Sequence, residues 1–220
     1  MKKKIAAILI AGTLLAGCAA NKVSEDKYSG FLNDYSNLKS VPEDKDTIGY
    51  VTPDINWSQY NSIMVDQVLI ITPDGEQKTD GQLLVAIADK FEELIKQDVS
   101  KEFTVVDNPG EGTIRIQAAI TSVFTSYDDK KGYQYIPIAA AVGGIKRASG
   151  SEKKSVRVMT EFRLVDSVDG QLLGQVVDFK SGEKKQDKDS AILLADVVPI
   201  LEQWAQRITD RIVGLKEAAK

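Results

Sequence analysis

Apolar positions along the chain follow two different periods, and each predicts its own kind of element. From Leu84, the residues Ile87, Ala88, Phe91, Leu94, Ile95 and Val99 recur at spacings of three and four, with Asp89, Lys90, Glu92, Glu93, Lys96 and Gln97 between them. That period lines one side of an α-helix. Thr79 or Asp80 can cap it, which places the helix from there to about Glu102. A second stripe, Val197, Leu201, Trp204, Ile208, Ile212 and Leu215, predicts a helix over Ser190 to Lys216. Pro199 should kink that helix or divide it in two.

Elsewhere the period is two. Ile114, Ile116, Ala118, Ile120 and Ser122 alternate with Arg115, Gln117, Ala119 and Thr121. Val156, Val158, Phe162 and Leu164 alternate with Arg157, Glu161 and Arg163. Both segments read as strands with one covered face. Asp169-Gly170 is a hairpin signal leading to a third strand over Gln171–Lys180. Upstream, Ser62 to Ile71 is nearly continuous in apolar residues and suits a central strand, ended by Pro73-Asp74-Gly75. Phe103 to Asp107 is a short strand closed by Asn108-Pro109-Gly110. The expected order is β-α-β-β-β-β-α. The fold class is α+β, a two-layer sandwich of a mostly antiparallel sheet with two amphipathic helices. If the first two strands are parallel, their helical crossover is right-handed.

The N-terminus carries an address. Lys2, Lys3 and Lys4 precede a short apolar run from Ile5 to Leu15, which is a signal-peptide pattern and too short to span a bilayer. Leu15, Ala16, Gly17 and Cys18 follow and resemble a bacterial lipobox. That resemblance implies cleavage of residues 1–17 and a diacylglycerol thioether on Cys18, with further acylation such as palmitate. Two or more chains give stable anchoring where one is marginal. No Asp stands at position 19, so in a Gram-negative cell the similarity to sorted lipoproteins favours the periplasmic face of the outer membrane.

Residues 18–49 read as the lipidated Cys and a tether, with a single domain over 50–220. Within the tether, Phe31, Leu32, Tyr35 and Leu38 form one apolar face if the segment Gly30-Phe31-Leu32-Asn33-Asp34-Tyr35-Ser36-Asn37-Leu38 is helical. Phe31 and Tyr35 are then candidates either for docking on the domain or for binding a partner close to the lipid. This segment, with Tyr50–Asp54, Ser58–Asp66 and Val105–Gly110, resembles a bacterial lipoprotein family catalogued only as a domain of unknown function. The resemblance covers most of the chain after the lipobox and implies no catalytic residues.

Composition narrows the chemistry. The 220 residues include 32 acidic and 28 basic side chains, one Cys and no His. Removing Lys2, Lys3 and Lys4 from the 28 leaves 25 basic against 32 acidic residues, a net charge of −7. A chain with an acidic excess is a poor nucleic-acid binder, so no nucleic-acid partner is expected. Without His there is no His-containing triad and no His-ligated metal, and a single Cys excludes disulfides within the chain and CxxC sites. HExxH, GxSxG, Walker and EF-hand patterns do not occur, so neither a metal nor a cofactor is expected. Asp128-Asp129 and Asp187-Lys188-Asp189 read as solvated charges at a hairpin tip and before a helix. Asp66, inside an apolar strand, either faces outward or pairs with Arg115 or Arg157.

The segment Tyr133–Ser149 is apolar from Ile136 to Ile145 and is followed by Lys146 and Arg147. A connection of this length suits core cover, a contact surface or shallow membrane insertion. Its candidate interaction residues are Tyr135, Ile136, Ile138, Val142 and Ile145. These features predict a lipid-anchored, non-enzymatic binding or assembly module. It would be held to the membrane through acylated Cys18 and would engage an envelope protein or a second copy. The alternatives are an envelope hydrolase using Asp, Ser or Lys, or a carrier of a small hydrophobic ligand.

Overall fold

The computed structural model describes residues 28–42, 44–71, 80–127, 154–185 and 191–219. The expected lipobox residues Leu15, Ala16, Gly17 and Cys18 lie outside the described residues, as do the candidate interaction residues Tyr135, Ile136, Ile138, Val142 and Ile145.

The fold is α+β: one mixed sheet of eight strands with two long helices. Its strands are β1 (Lys39–Val41), β2 (Asp44–Val51), β3 (Ser62–Val65), β4 (Leu69–Ile70), β5 (Thr104–Val105), β6 (Thr113–Tyr127), β7 (Lys154–Asp166) and β8 (Leu172–Lys185). Helix α1 spans Gly81–Val99 and α2 spans Leu194–Ala218. From β3 onward the order is close to the expected one, with the first expected strand divided into β3 and β4. The sheet runs β1-β2-β8-β7-β6-β3-β5, with β4 also on β6. The first four pairs are antiparallel; β3 is parallel to both β6 and β5, with α1 as the crossover.

The continuous strand expected over Ser62–Ile71 is interrupted. β3 pairs Val65 with Ile116, whereas β4 pairs Leu69 with Ala119, so the upstream side holds one extra residue. This is a bulge at 66–68, a device that redirects a side chain while pairing continues beyond it.

Both helices lie on one face of the sheet. Asp80 caps α1, its carboxylate accepting the Gln82 N–H at 3.0 Å. The buried stripe of α1 is the expected one, from Leu84 to Val99. Helix α2 buries Val197, Leu201, Trp204 and Ile212, and Ile208 and Leu215 are packed at the margin. It continues through Pro199 undivided. The proline stands in the second turn, where it removes one backbone hydrogen bond, and buried Val197, Ile200 and Leu201 on either side hold the helix to the core. Phe91, Phe162 and Trp204 meet at the centre with ring centroids 5.7 to 6.3 Å apart, filling the space between sheet and helices.

An ionic cluster pins α2 to the β2–β8 end of the sheet. Lys180 Nζ lies 2.6 Å from Asp44 Oδ2 and 3.4 Å from Asp178 Oδ1, and Arg207 reaches Asp44, Asp178 and Thr47. Asp178 is 2% exposed, and burial pushes its carboxyl up. At Asp44 burial acts in the same direction. There the Lys180 hydrogen bond, the Asp46 N–H and Arg207 outweigh it and hold the carboxyl well below the usual range.

The ordered fold begins upstream of residue 50, a correction to the expected tether. Residues 39–51 hold β1 and the whole of β2, and Ile48 pairs with Val177 of β8. They fall in the expected tether because β1 is a short edge strand and β2 is rich in charged residues, which weakens their alternation. The opposite face of the sheet is covered as well. Leu32, Leu38, Ile48, Met159 and Val177 form a second small core, with Tyr28, Phe31, Tyr35, Tyr50 and Phe179 packed against it. Residues 28–38 thus lie across the sheet as a strap.

Candidate functional site

The strap is a chain of turns rather than the helix its apolar spacing allows. Gly30 and Asn33 both have positive φ, at 83° and 62°, which ends any helical run there. Asn, Asp and Ser at 33, 34, 36 and 37 also favour turns over helix. Tyr35 fastens the strap. Its hydroxyl donates to Glu161 Oε2 at 2.6 Å and accepts the Gly30 and Leu32 N–H groups at 2.9 and 3.3 Å. Glu161 is fully buried, and its other oxygen accepts the Ser29 N–H at 3.0 Å. Burial, and then the Glu161 contact, raises the Tyr35 hydroxyl above its ordinary value, so it remains a donor. Tyr28 stacks on Tyr35 at 3.9 Å, and Phe31 lies under the Arg163 guanidinium at 5.6 Å. Phe31 and Tyr35, expected to dock or to meet a partner, are here committed to the sheet.

Beside the strap, on the same face, is an open groove of about 610 Å³. Volumes between about 300 and 1,000 Å³ are typical of small-molecule sites. Its floor is Arg115 and Gln117 of β6, Arg163 of β7 and Gln175 of β8. One wall is the strap from Leu32 to Asn37; the other is the β7–β8 turn from Asp166 to Gly170. The floor residues converge because antiparallel register sets Gln117 opposite Arg163 and Arg115 opposite Val165. Arg115 and Arg163 are therefore diagonal neighbours on one face, within reach of one another's long side chains.

The bulge explains Asp66. It places the carboxylate beside the floor, where Arg115 Nε reaches Oδ1 and Oδ2 at 2.8 and 2.9 Å and Gln117 Nε2 reaches Oδ2 at 2.9 Å. Of the two readings open for Asp66, pairing with Arg115 is the one observed. Arg163 Nε in turn donates to Gln117 Oε1 at 2.9 Å. Asp66 raises the Arg115 guanidinium further above its already high value, so its charge is permanent.

The walls are fixed too. Gln175 Nε2 donates to the Asp34 carbonyl at 2.7 Å, tying the strap to β8. Asp166 Oδ1 accepts the Val168 N–H at 2.8 Å, and its Oδ2 accepts the Tyr60 hydroxyl at 3.0 Å. Burial pushes Tyr60 up to about 12, with Asp166 adding to the shift, so this contact persists across the neutral range. Arg163, Gln117 and Gln175 were not singled out as site residues from sequence. The signal was present in the polar phase of three alternating strands, but only register brings those positions to one spot. Among the described residues no group of three Asp, Glu or Cys side chains could hold a metal ion. No described helix is long and apolar enough to cross a membrane.

The chain is 27% identical to the uncharacterized lipoprotein YdcL of Escherichia coli strain K12 over 198 residues, 89% of either chain. Among solved structures it is similar to protein XCC0632 from Xanthomonas campestris, at 9% identity and a TM-score of 0.43, covering 78% of this chain and 96% of that one. Lipoprotein GNA1162 from Neisseria meningitidis is similar at 15% identity and a TM-score of 0.36, covering 70% and 99%. Residues 27–208 match the model of the protein family of unknown function DUF3313, and the chain belongs to that family.

Proposed function

We propose that the protein is a lipid-anchored, non-enzymatic binding module of the cell envelope. The carrying observation is the lipobox Leu15–Cys18, placed ten residues before the start of the described fold at Tyr28. Ten residues reach at most about 35 Å, so an acylated Cys18 would hold the strap and its groove close to the bilayer. The kinship with a lipoprotein supports the anchor. The absence of Asp at position 19 supports the periplasmic face of the outer membrane in a Gram-negative cell. With residues 1–17 removed the chain is acidic, so membrane affinity would come from lipid rather than charge. The groove, with fixed cationic groups and no nucleophile–base pair among its described floor residues, suits binding better than turnover. The Tyr133–Ser149 segment would offer a further contact to an envelope protein or a second copy.

Metabolic labelling with palmitate and membrane fractionation test the anchor. The wild-type protein should take up label and sediment with outer membranes, and Cys18→Ala should accumulate unlabelled precursor. A labelled, normally sorted Cys18→Ala variant would refute the proposal. A hydrolase substrate panel tests the non-enzymatic part; turnover abolished by one substitution in the groove would overturn it.

A further inference from the structure

We propose that the groove beside the strap binds a small zwitterion, a carboxylate-bearing ligand that also carries an ammonium group, such as a short peptide with free ends. This deepens the reading of the domain as a binding module and rests on it.

Each floor arginine is held at one atom and open at two. Arg115 uses Nε on Asp66, and Arg163 uses Nε on Gln117. Among the described residues, the terminal nitrogens of both guanidiniums have no hydrogen-bond partner. A guanidinium fork matches a carboxylate with two parallel N–H bonds, and here two forks lie diagonally on one rigid sheet. The relay Arg163–Gln117–Asp66–Arg115 fixes both planes before any ligand arrives, which lowers the ordering cost of binding. Phe31 against one guanidinium face limits that side chain further. Asp66 cancels one of the two charges, leaving a floor of net +1, suited to a single carboxylate.

The rim has the opposite sign. Asp34 on the strap and Asp169 on the β7–β8 turn both line the groove and are exposed. Each has one oxygen engaged by its own turn, Asp34 with the Ser36 N–H and Asp169 with the Gln171 N–H. The Ser36 N–H holds the Asp34 carboxyl below its ordinary value, so it is ionised at neutral pH. A polyanion such as phosphate would meet these carboxylates at the entrance. A ligand with a carboxylate inward and an ammonium group outward complements both layers.

Isothermal titration of the purified full chain in neutral detergent tests this, using the dipeptide Ala-Ala, its C-terminal amide, its N-acetyl form and inorganic phosphate. The free dipeptide should bind. The amide should bind at least about tenfold more weakly, the acetylated form should also lose affinity, and phosphate should bind more weakly than the dipeptide. Arg163→Gln should weaken the dipeptide about tenfold or more while leaving the circular dichroism spectrum unchanged. If that variant misfolds, Arg163→Lys, which keeps the charge but not the fork, should show the same loss. Equal binding of acid and amide, tighter binding of phosphate, unchanged affinity in the Arg163 variants, or no binding of the dipeptide at millimolar concentration would each overturn the proposal. None of these results touches acylation or sorting of Cys18, so failure here is distinct from failure of the anchor.

Discussion

Replacing Tyr35 by Phe deletes one oxygen from the contact that ties the strap to the sheet. That oxygen donates to Glu161 at 2.6 Å, and Glu161 has no exposure to water. A hydrogen bond to a charged group contributes about 1.5–3 kcal/mol, and a buried carboxylate that loses a donor cannot recover it from solvent. Ser29 N–H remains on the other carboxylate oxygen, so the loss is partial. The Gly30 N–H is exposed and rehydrates, and the Leu32 N–H bond is long at 3.3 Å, so these add little. The expected cost of Tyr35→Phe is therefore about 2 kcal/mol, or roughly a 30-fold increase in strap opening. Hydrogen exchange should show faster exchange confined to residues 28–38 if the strap lifts alone. Urea unfolding should show a lowered midpoint with unchanged slope if it unfolds with the sheet. A double-mutant cycle with Glu161→Gln should give a coupling of similar size. A change below about 0.5 kcal/mol, with unaltered exchange in 28–38, would refute the reasoning that this hydroxyl secures the strap.

Other sites make separate predictions. Gly112 has φ of 66°, and a Cβ there would lie 2.7 Å from the Gln59 backbone carbonyl, so Gly112→Ala should lower stability by about 1–3 kcal/mol in thermal or urea unfolding. Gly170 also has positive φ but open space around it, so Gly170→Ala should cost less. Phe91→Ala removes a ring packed on Phe162 and Trp204 and should cost about 3–5 kcal/mol. At Asp44 the folded-state carboxyl titrates below the unfolded one. Its stabilisation is complete above the unfolded value, roughly pH 4, and is lost as pH falls through the lower folded value. Asp44→Asn should therefore flatten the acid side of a melting-temperature profile, and a curve parallel to wild type below roughly pH 4 would contradict this. Asp178 runs the other way. Burial raises its folded-state carboxyl, so its contribution falls as pH rises from the unfolded value to the folded one.

Much of the fold is legible in the chain because helix and strand periods are local properties. The stripe from Leu84 to Val99 and the alternations along 114–122 and 155–165 need no partner to be seen, and α1, β6 and β7 follow them. Asp66 is legible in part, since a carboxylate among apolar residues demands a cation or water. The proposed lipobox Leu15–Cys18 is a purely sequential pattern, legible without any tertiary contact.

Tertiary structure decides what depends on register and on the second face of the sheet. Nothing local in Lys39–Val51 marks it as paired, because β2 takes its strand identity from the neighbouring β8 and β1 takes its own from β2. The apolar spacing of Phe31, Leu32, Tyr35 and Leu38 is equally compatible with a helix and with a strap. Positive φ at Gly30 and Asn33, together with a buried Glu161 waiting across the sheet, selects the strap. Arg115 and Arg163 stand 48 positions apart in the chain, and each alone is an ordinary polar residue on a strand. A single antiparallel register, with Gln117 opposite Arg163, makes them one floor. A groove is a property of pairs of segments, so no window of sequence contains it.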